Sequence, residues 1–502
     1  MPPSPSWRPS WPRPSSEETP DVISAADLVP MTPEIFVLAA TCALLMLDLF
    51  VSDRRRGLIH FLALATLLGG ATLILRQGAF DVDGVSAFGG LFLRDAVGDV
   101  LKLFVFVVTG ATFVYAKSYL IDRGLFKGEF YVLCLFAVLG MMILVSAGNL
   151  LTVYMGLELL ALSSYALVAL HRDDRLASEA AMKYFVLGAL ASGMLLYGMS
   201  MVYGATGSLS LAEIHAAAAQ ADGDRTLLMF GLVFLIVGIA FKFGAAPFHM
   251  WVPDVYQGAP TAITLFIGSA PKLAAFGMAY RLLEGGTGPL DAHWREMIAW
   301  LAVLSLAIGN VLAIAQSNIK RMLAYSTISH VGFLFMGLSQ ATPEGYAAAM
   351  FYAVSYSLMA AGAFACVILL SRKGFEAEQI EDFRGLNRRH PWYALLVLCL
   401  MASLAGFPPF LGFWAKVLVL RAAIDGGMLW LAVAGVVFAV IGAYYYLRVV
   451  KVMYFDPPGD SRAVARPDPQ LRLLLSVNAL LMLVLGLFWS PLLAMCQRAF
   501  GV

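Results

Sequence analysis

Several ionisable side chains lie inside runs apolar enough for the interior of a bilayer. Glu158 sits in NLLTVYMGLELLALSSYALVAL, Lys242 in VGIAFKFGAAPFHMWVPD and Lys272 in IGSAPKLAAFGMAY. His330 sits in MLAYSTISHVGFLFMGL and Lys416 in MASLAGFPPFLGFWAKVLVL. A charge at mid-bilayer costs about 2.5–3.5 kcal/mol on insertion scales, so such residues normally face protein or a wet cavity and mark ion or proton paths. Loss of water favours the neutral forms of lysine and glutamate alike, which brings their proton exchange toward neutral pH. Histidine exchanges protons there without any perturbation. The chemistry open to this set is proton transfer.

Three of these residues adjoin prolines. Pro247 and Pro253 follow Lys242, Pro271 directly precedes Lys272, and Pro408 and Pro409 precede Lys416. Proline inside a spanning helix removes a backbone bond and breaks or kinks it. Freed backbone at membrane depth survives only inside protein or beside water. Lys242 and Lys416 are therefore expected beside helix breaks of the kind that line transporter ion sites. His249, next to the first break, is a further candidate proton carrier. Glu158 reads as the only carboxylate well inside the apolar runs, with Lys183 or Lys242 on a neighbouring helix as its expected partner. Lys102, beside Asp99 near the start of its run, reads as a structural ion pair.

The elements that position these residues follow from hydropathy. The chain is 60% hydrophobic and 13% charged, against about 25% charged in a soluble domain. A spanning helix needs about 20 mostly apolar residues. The predicted fold is an all-α membrane protein with about fourteen such helices, roughly 32–51, 57–75, 97–116, 130–147, 149–170, 180–203, 226–247, 260–280, 297–315, 322–338, 346–371, 393–420, 428–447 and 473–493. With the N-terminus outside, inner loops carry 21 of the 34 Lys and Arg and outer segments 9. That asymmetry puts both termini on the periplasmic side of a bacterial inner membrane.

The expected organisation is a disordered Pro/Ser-rich extension over 1–30, a three-helix segment over 31–128 and two five-helix repeats over 129–284 and 285–455. A loop and last helix fill 456–502. The second span of each repeat carries a buried ionisable group (Glu158, His330), and the fourth carries a proline break and a lysine (Lys242, Lys416). An odd helix count inverts the second repeat, as in many transporters. The order of charges suggests a lateral relay through Glu158, Lys183 or Lys242, Lys272, His330 and Lys416.

Other classes are disfavoured. Net charge is +1, which offers no basic field for nucleic acid. Cys42, Cys134, Cys366, Cys399 and Cys496 are dispersed and form no C-x-x-C pair, which argues against iron–sulfur clusters, structural zinc and disulfides. There is no P-loop or dinucleotide fingerprint, so the energy for transport must come from partner subunits or another ion gradient.

The segments FKFGAAPFHMWVPDVYQGAPT (241–261), SNIKRMLAYSTISHVG (317–332) and GFPPFLGFWAK (406–416) resemble the antiporter-like subunits of respiratory complex I. That family includes subunits of multisubunit cation/proton antiporters and of membrane-bound hydrogenases. The likeness spans nearly all of residues 31–493. Lys416 in the second broken helix and the absence of a long C-terminal lateral helix match one member type better than the others. The resemblance implies a proton-translocating subunit of an NADH:quinone oxidoreductase, with Glu158, Lys183, Lys242, Lys272 and Lys416 in the relay. It also implies that the chain works only with other membrane subunits in a lipid bilayer, holds no cofactor, and relies on partners that carry FMN, iron–sulfur clusters, NADH and quinone. The alternatives are a sodium/proton antiporter subunit or a membrane-bound hydrogenase subunit of the same family.

Overall fold

A computed structural model describes residues 25–52, 55–78, 84–220, 225–458 and 468–502. Residues 1–24 of the expected extension lie outside these, as do Arg8, Arg13, Arg54, Arg462 and Arg466 of the loop-charge count; Ala25–Leu28 form a helical turn.

Among the described residues the chain is almost wholly helical, and eleven helices are long and apolar enough to cross a membrane. Each expected span has a helix at its place. Three fall outside the eleven for physical reasons. Thr32–Asp48 has 17 residues. Ile319–Leu338 has 20 but carries Lys320, Arg321, His330 and several hydroxyls. The span at 393–420 is broken into Pro391–Ala405 and Leu411–Asp425. Among the elements not anticipated are an antiparallel hairpin pairing Val85–Ala87 with Phe92–Arg94 and the short helices Leu211–Ala219 and Ser490–Ala499.

Local chemistry sets the helix ends. Asp95, Asn149, Asp174, Asn318 and Thr342 each accept a backbone N–H from the first turn of the helix they precede, which satisfies donors that helix starts leave open. Gly207 and Gly406 end their helices in the left-handed region, where glycine carries no Cβ penalty.

Packing is by close backbone approach. A Cβ at Gly140 would come within 2.6 Å of the Leu160 nitrogen, and one at Gly156 within 2.8 Å of the Leu144 nitrogen. The helices Gly128–Val145 and Leu150–Val168 therefore touch main chain to main chain, the small-residue contact that drives association where no hydrophobic effect acts between helices.

At the centre stand Thr261–Tyr280 and Pro343–Leu370, buried on all sides. A helix that is apolar all round belongs in such a place. Outer helices keep large side chains exposed, among them Phe61, Leu68, Leu190 and Val440, consistent with a lipid-facing belt. Lys272 is thus on one of the two fully buried helices.

Both proline-marked spans are broken. Arg225–Phe243 stops at Gly244 and resumes as Trp251–Gly258; Pro391–Ala405 stops at Gly406 and resumes at Leu411. The glycine at each break has positive φ, and Pro247 and Pro409, each three residues on, follow cis peptide bonds. Aligned on these breaks, the two lysines do not match: Lys242 precedes its break and Lys416 follows the other.

Candidate functional site

The broken helices present main-chain carbonyls at membrane depth, and lysines meet them. The last carbonyls of a helix lack intrahelical partners and carry the negative end of its dipole. Lys272 Nζ donates to the Phe243 carbonyl at 2.7 Å, and Lys416 Nζ donates to the Ala405 carbonyl at 2.7 Å. Each acceptor is the final residue of a first half-helix. Lys320 Nζ does the same at the end of the second half-helix, Trp251–Gly258, donating to the Ala259 carbonyl at 2.7 Å, and it also pairs with Glu378 at 3.3 Å. Lys272 also stands over the Trp251 ring (5.7 Å) and Lys416 over the Phe333 ring (5.1 Å). Lys272 and Lys416 are thus held by carbonyls and π-faces, with no carboxylate partner among the described residues, so each can release a proton without breaking an ion pair.

Of the sequence-predicted residues, the structure brings several within electrostatic reach. Lys242 interacts with Glu158 on one side and with Lys272 on the other. Lys416 interacts with His330. Lys242 lines a cleft with Leu157, Tyr165, Tyr184 and Trp251. Glu158 is half-buried, and its Oε1 is buried without a hydrogen-bond partner. His249 lies in the first break with Nδ1 buried and unpartnered; no contact joins it to the other candidates.

Lys183 is placed differently from expectation. It is about two-fifths exposed and pairs with Glu179 at 3.0 Å and Asp254 at 2.8 Å, not with Glu158. The reason is Asp254, which projects from the half-helix Trp251–Gly258 and also takes Arg321 at 2.7 Å. One carboxylate thereby ties the Lys183 helix to the helix that carries His330.

Between the two halves runs a set of hydroxyls that sequence reasoning missed. Tyr256, on the half-helix Trp251–Gly258, donates to the Ile267 carbonyl at 3.5 Å and stands within electrostatic reach of Tyr356 and Thr327. Tyr356 donates to Thr327 Oγ1 at 2.7 Å and packs on the His330 ring, centroids 4.9 Å apart. His330 is held at both ring nitrogens, by Tyr352 at 2.6 Å and Tyr446 at 3.0 Å, and Tyr446 bonds Ser326. Hydroxyls both donate and accept, so this set is suited to passing protons. The spacing of Ser326, Thr327 and His330 on one helix was the available signal. The tyrosines on other helices look like core residues from sequence alone.

Two buried charge pairs lie outside this line and correct earlier expectations. Glu158 is not the only carboxylate within an apolar run: Glu34 Oε1 meets Lys102 Nζ at 2.6 Å, each about 1% exposed. Lys102 therefore pairs with Glu34, whereas Asp99 pairs with Arg94 at 3.0 Å. Asp95 binds Arg281 through both oxygens, at 2.6 and 2.7 Å. Burial pushes the Asp95 carboxyl up, but the Arg281 guanidinium outweighs it and holds the group below its usual value. Among the described residues no group of three or more His, Cys, Asp or Glu is placed to hold a metal ion.

Comparison with known proteins places this architecture. A family model described as "NADH:quinone oxidoreductase/Mrp antiporter, TM" matches residues 147–442. NADH-quinone oxidoreductase subunit N of Xanthomonas euvesicatoria is 60% identical over 479 residues, covering 95% of this chain and 98% of the relative. That of Thiobacillus denitrificans is 55% identical over 479 residues, covering 95% and 99%. A chain of Thermus thermophilus respiratory complex I with bound aureothin superposes with TM-score 0.79 at 33% identity, covering 92% of this chain and 98% of that one. A chain of the Mrp complex from a Dietzia species has TM-score 0.81 at 20% identity, covering 94% and 97%; it shares the fold.

Proposed function

The chain belongs to the NADH-quinone oxidoreductase subunit N family, a membrane subunit of respiratory complex I, and from that premise we propose that it moves protons through the buried residues described above. The relay runs from Glu158 through Lys242 to Lys272, across the Tyr256–Thr327–Tyr356 hydroxyls to His330, and on to Lys416. The chain spans the membrane about fourteen times, as two inverted repeats, with both termini on the periplasmic side of the bacterial inner membrane. The redox energy reaches it from partner subunits as an electrostatic change near Glu158, which shifts the pairing with Lys242.

One observation carries this reading: Lys272 and Lys416 each rest on the terminal carbonyl of a broken half-helix. A carbonyl with a helix dipole stabilises the ammonium without a formal counter-charge. A neighbouring positive charge then tips the proton off, since two like charges in low dielectric repel strongly. Lys183 enters as a residue that Asp254 holds beside the relay, and His249 as a polar group within the first break.

The test is NADH-driven acidification of inverted membrane vesicles, with NADH oxidation followed in the same sample. Lys242→Met is expected to lower acidification, through slower oxidation or fewer protons per NADH, while assembled complex stays at the wild-type level. Wild-type acidification by the assembled variant would remove Lys242 from the path.

A further inference from the structure

We infer that the chain binds a phospholipid with a primary-amine headgroup, phosphatidylethanolamine in class, in a groove between its helices Thr32–Asp48, Gly128–Val145 and Leu150–Val168. The groove is open and encloses about 760 Å³ including its mouth. Its rim is charged, with Lys127 and Arg172 as cations and Glu129 as the carboxylate, and its walls are apolar, including Leu45, Val132, Leu133, Phe136 and Leu170.

The depth fits a lipid. Lys127 immediately precedes the helix Gly128–Val145, and Arg172 lies four residues beyond the end of Leu150–Val168. Both are inner-loop residues on the loop-charge orientation proposed above. From Gly128 to Phe136 the helix descends about 12 Å at 1.5 Å per residue. The charged rim thus stands at headgroup level and the apolar walls run along the start of the acyl chains. Basic pockets between spanning helices on this side are suited to lipid headgroups.

The charge pattern selects the headgroup. Neither Lys127 nor Arg172 forms an ion pair among the described residues, and neither does Glu129. Nearby Asp48 lies against Gly128 and interacts with Arg56, which itself donates to the Phe126 carbonyl at 2.9 Å. Two free cations suit a phosphodiester. One free carboxylate beside them suits an ammonium that can donate hydrogen bonds. A choline headgroup lacks that donor, and a glycerol headgroup lacks the charge.

The test uses native membranes containing the assembled complex, loaded with diazirine-bearing phosphatidylethanolamine, phosphatidylcholine or phosphatidylglycerol. Photolabel is then mapped to the peptides around Leu133–Phe136 and Ala166–Leu170. Phosphatidylethanolamine is expected to label them about tenfold more than phosphatidylcholine, equivalent to one charge-assisted contact of about 1.4 kcal/mol. Glu129→Gln is expected to bring phosphatidylethanolamine down to the phosphatidylcholine level. Lys127→Gln with Arg172→Gln is expected to lower labelling by all three lipids. Three outcomes each overturn the inference: equal labelling by phosphatidylethanolamine and phosphatidylcholine, stronger labelling by phosphatidylglycerol, and no lipid label with crosslinks to a partner subunit covering the groove.

Discussion

Replacing Lys272 in two ways separates proton transfer from mere support of the helix break. Lys272 is buried on the central helix and donates to the Phe243 carbonyl at 2.7 Å. Two other carbonyls at that helix end already have partners: Phe241 takes the Trp251 indole N–H at 3.0 Å, and Ala240 takes the Ala245 N–H at 2.8 Å. Lys272→Met leaves the Phe243 carbonyl bare. The loss is about 1.5–3 kcal/mol for a hydrogen bond from a charged donor, plus about 0.3–1 kcal/mol for a cation at a helix C-terminus. The methionine variant is therefore expected both to assemble less well and to stop pumping. Lys272→Arg keeps the donor and the charge at an overpacking cost of about 1–3 kcal/mol. A guanidinium with pKa above 12 is neutral less than about one part in 10⁵ at pH 7, so a proton hop that needs its neutral form is all but blocked. The expected result is an arginine variant whose assembled complex approaches wild type on native gels while its vesicles acidify no better than the methionine variant. Wild-type acidification per NADH by Lys272→Arg would refute the reasoning and reduce Lys272 to a helix cap.

Asp254→Asn removes the carboxylate that holds Lys183 and Arg321, two contacts worth together about 1–3 kcal/mol at this partial exposure; NADH oxidation and acidification are expected to fall several-fold, and Asp254→Glu to restore much of both, as measured in vesicles. Lys102→Met strands the Glu34 carboxylate and is expected to cost about 3–5 kcal/mol, whereas Glu34→Leu with Lys102→Met is expected to be near neutral; thermal inactivation of the solubilised complex checks the difference. The depressed Asp95 carboxyl implies that the unfolded chain binds more protons than the folded one as pH falls toward the folded value. Its stabilisation is therefore full at neutral pH, above the unfolded pKa, and lost below about pH 4. Asp95→Asn is expected to lower thermal stability at pH 7 and to narrow that gap at pH 4.

Hydropathy marked the place of each long apolar helix, with ends off by up to seven residues, because about 20 consecutive mostly apolar residues are a strong local signal. The prolines marked both breaks, since a ring nitrogen cannot complete the helix ladder. The presence of charge in the wrong solvent singled out Lys242, Lys272, Lys416, Glu158 and His330. Polar load hid one span from a simple count of apolar helices: Ile319–Leu338 tolerates its hydroxyls and charges because protein, rather than lipid, surrounds it.

What the sequence by itself determined is thus the run of long apolar helices, the breaks and the unusual charges, all properties of contiguous residues. Only the tertiary structure decided the partners. Lys272 meets a carbonyl 29 positions away, and Arg321 meets a carboxylate 67 positions away. Lys183 turns to Asp254 instead of Glu158, Lys102 turns to Glu34 instead of Asp99, and ordinary core tyrosines become links between two halves of the chain. Helical periodicity says which face a side chain occupies, but not which neighbouring helix stands opposite, nor at what height. That register comes from backbone-to-backbone packing such as the Gly140–Gly156 contact, and with it comes the line of groups along which a proton can pass.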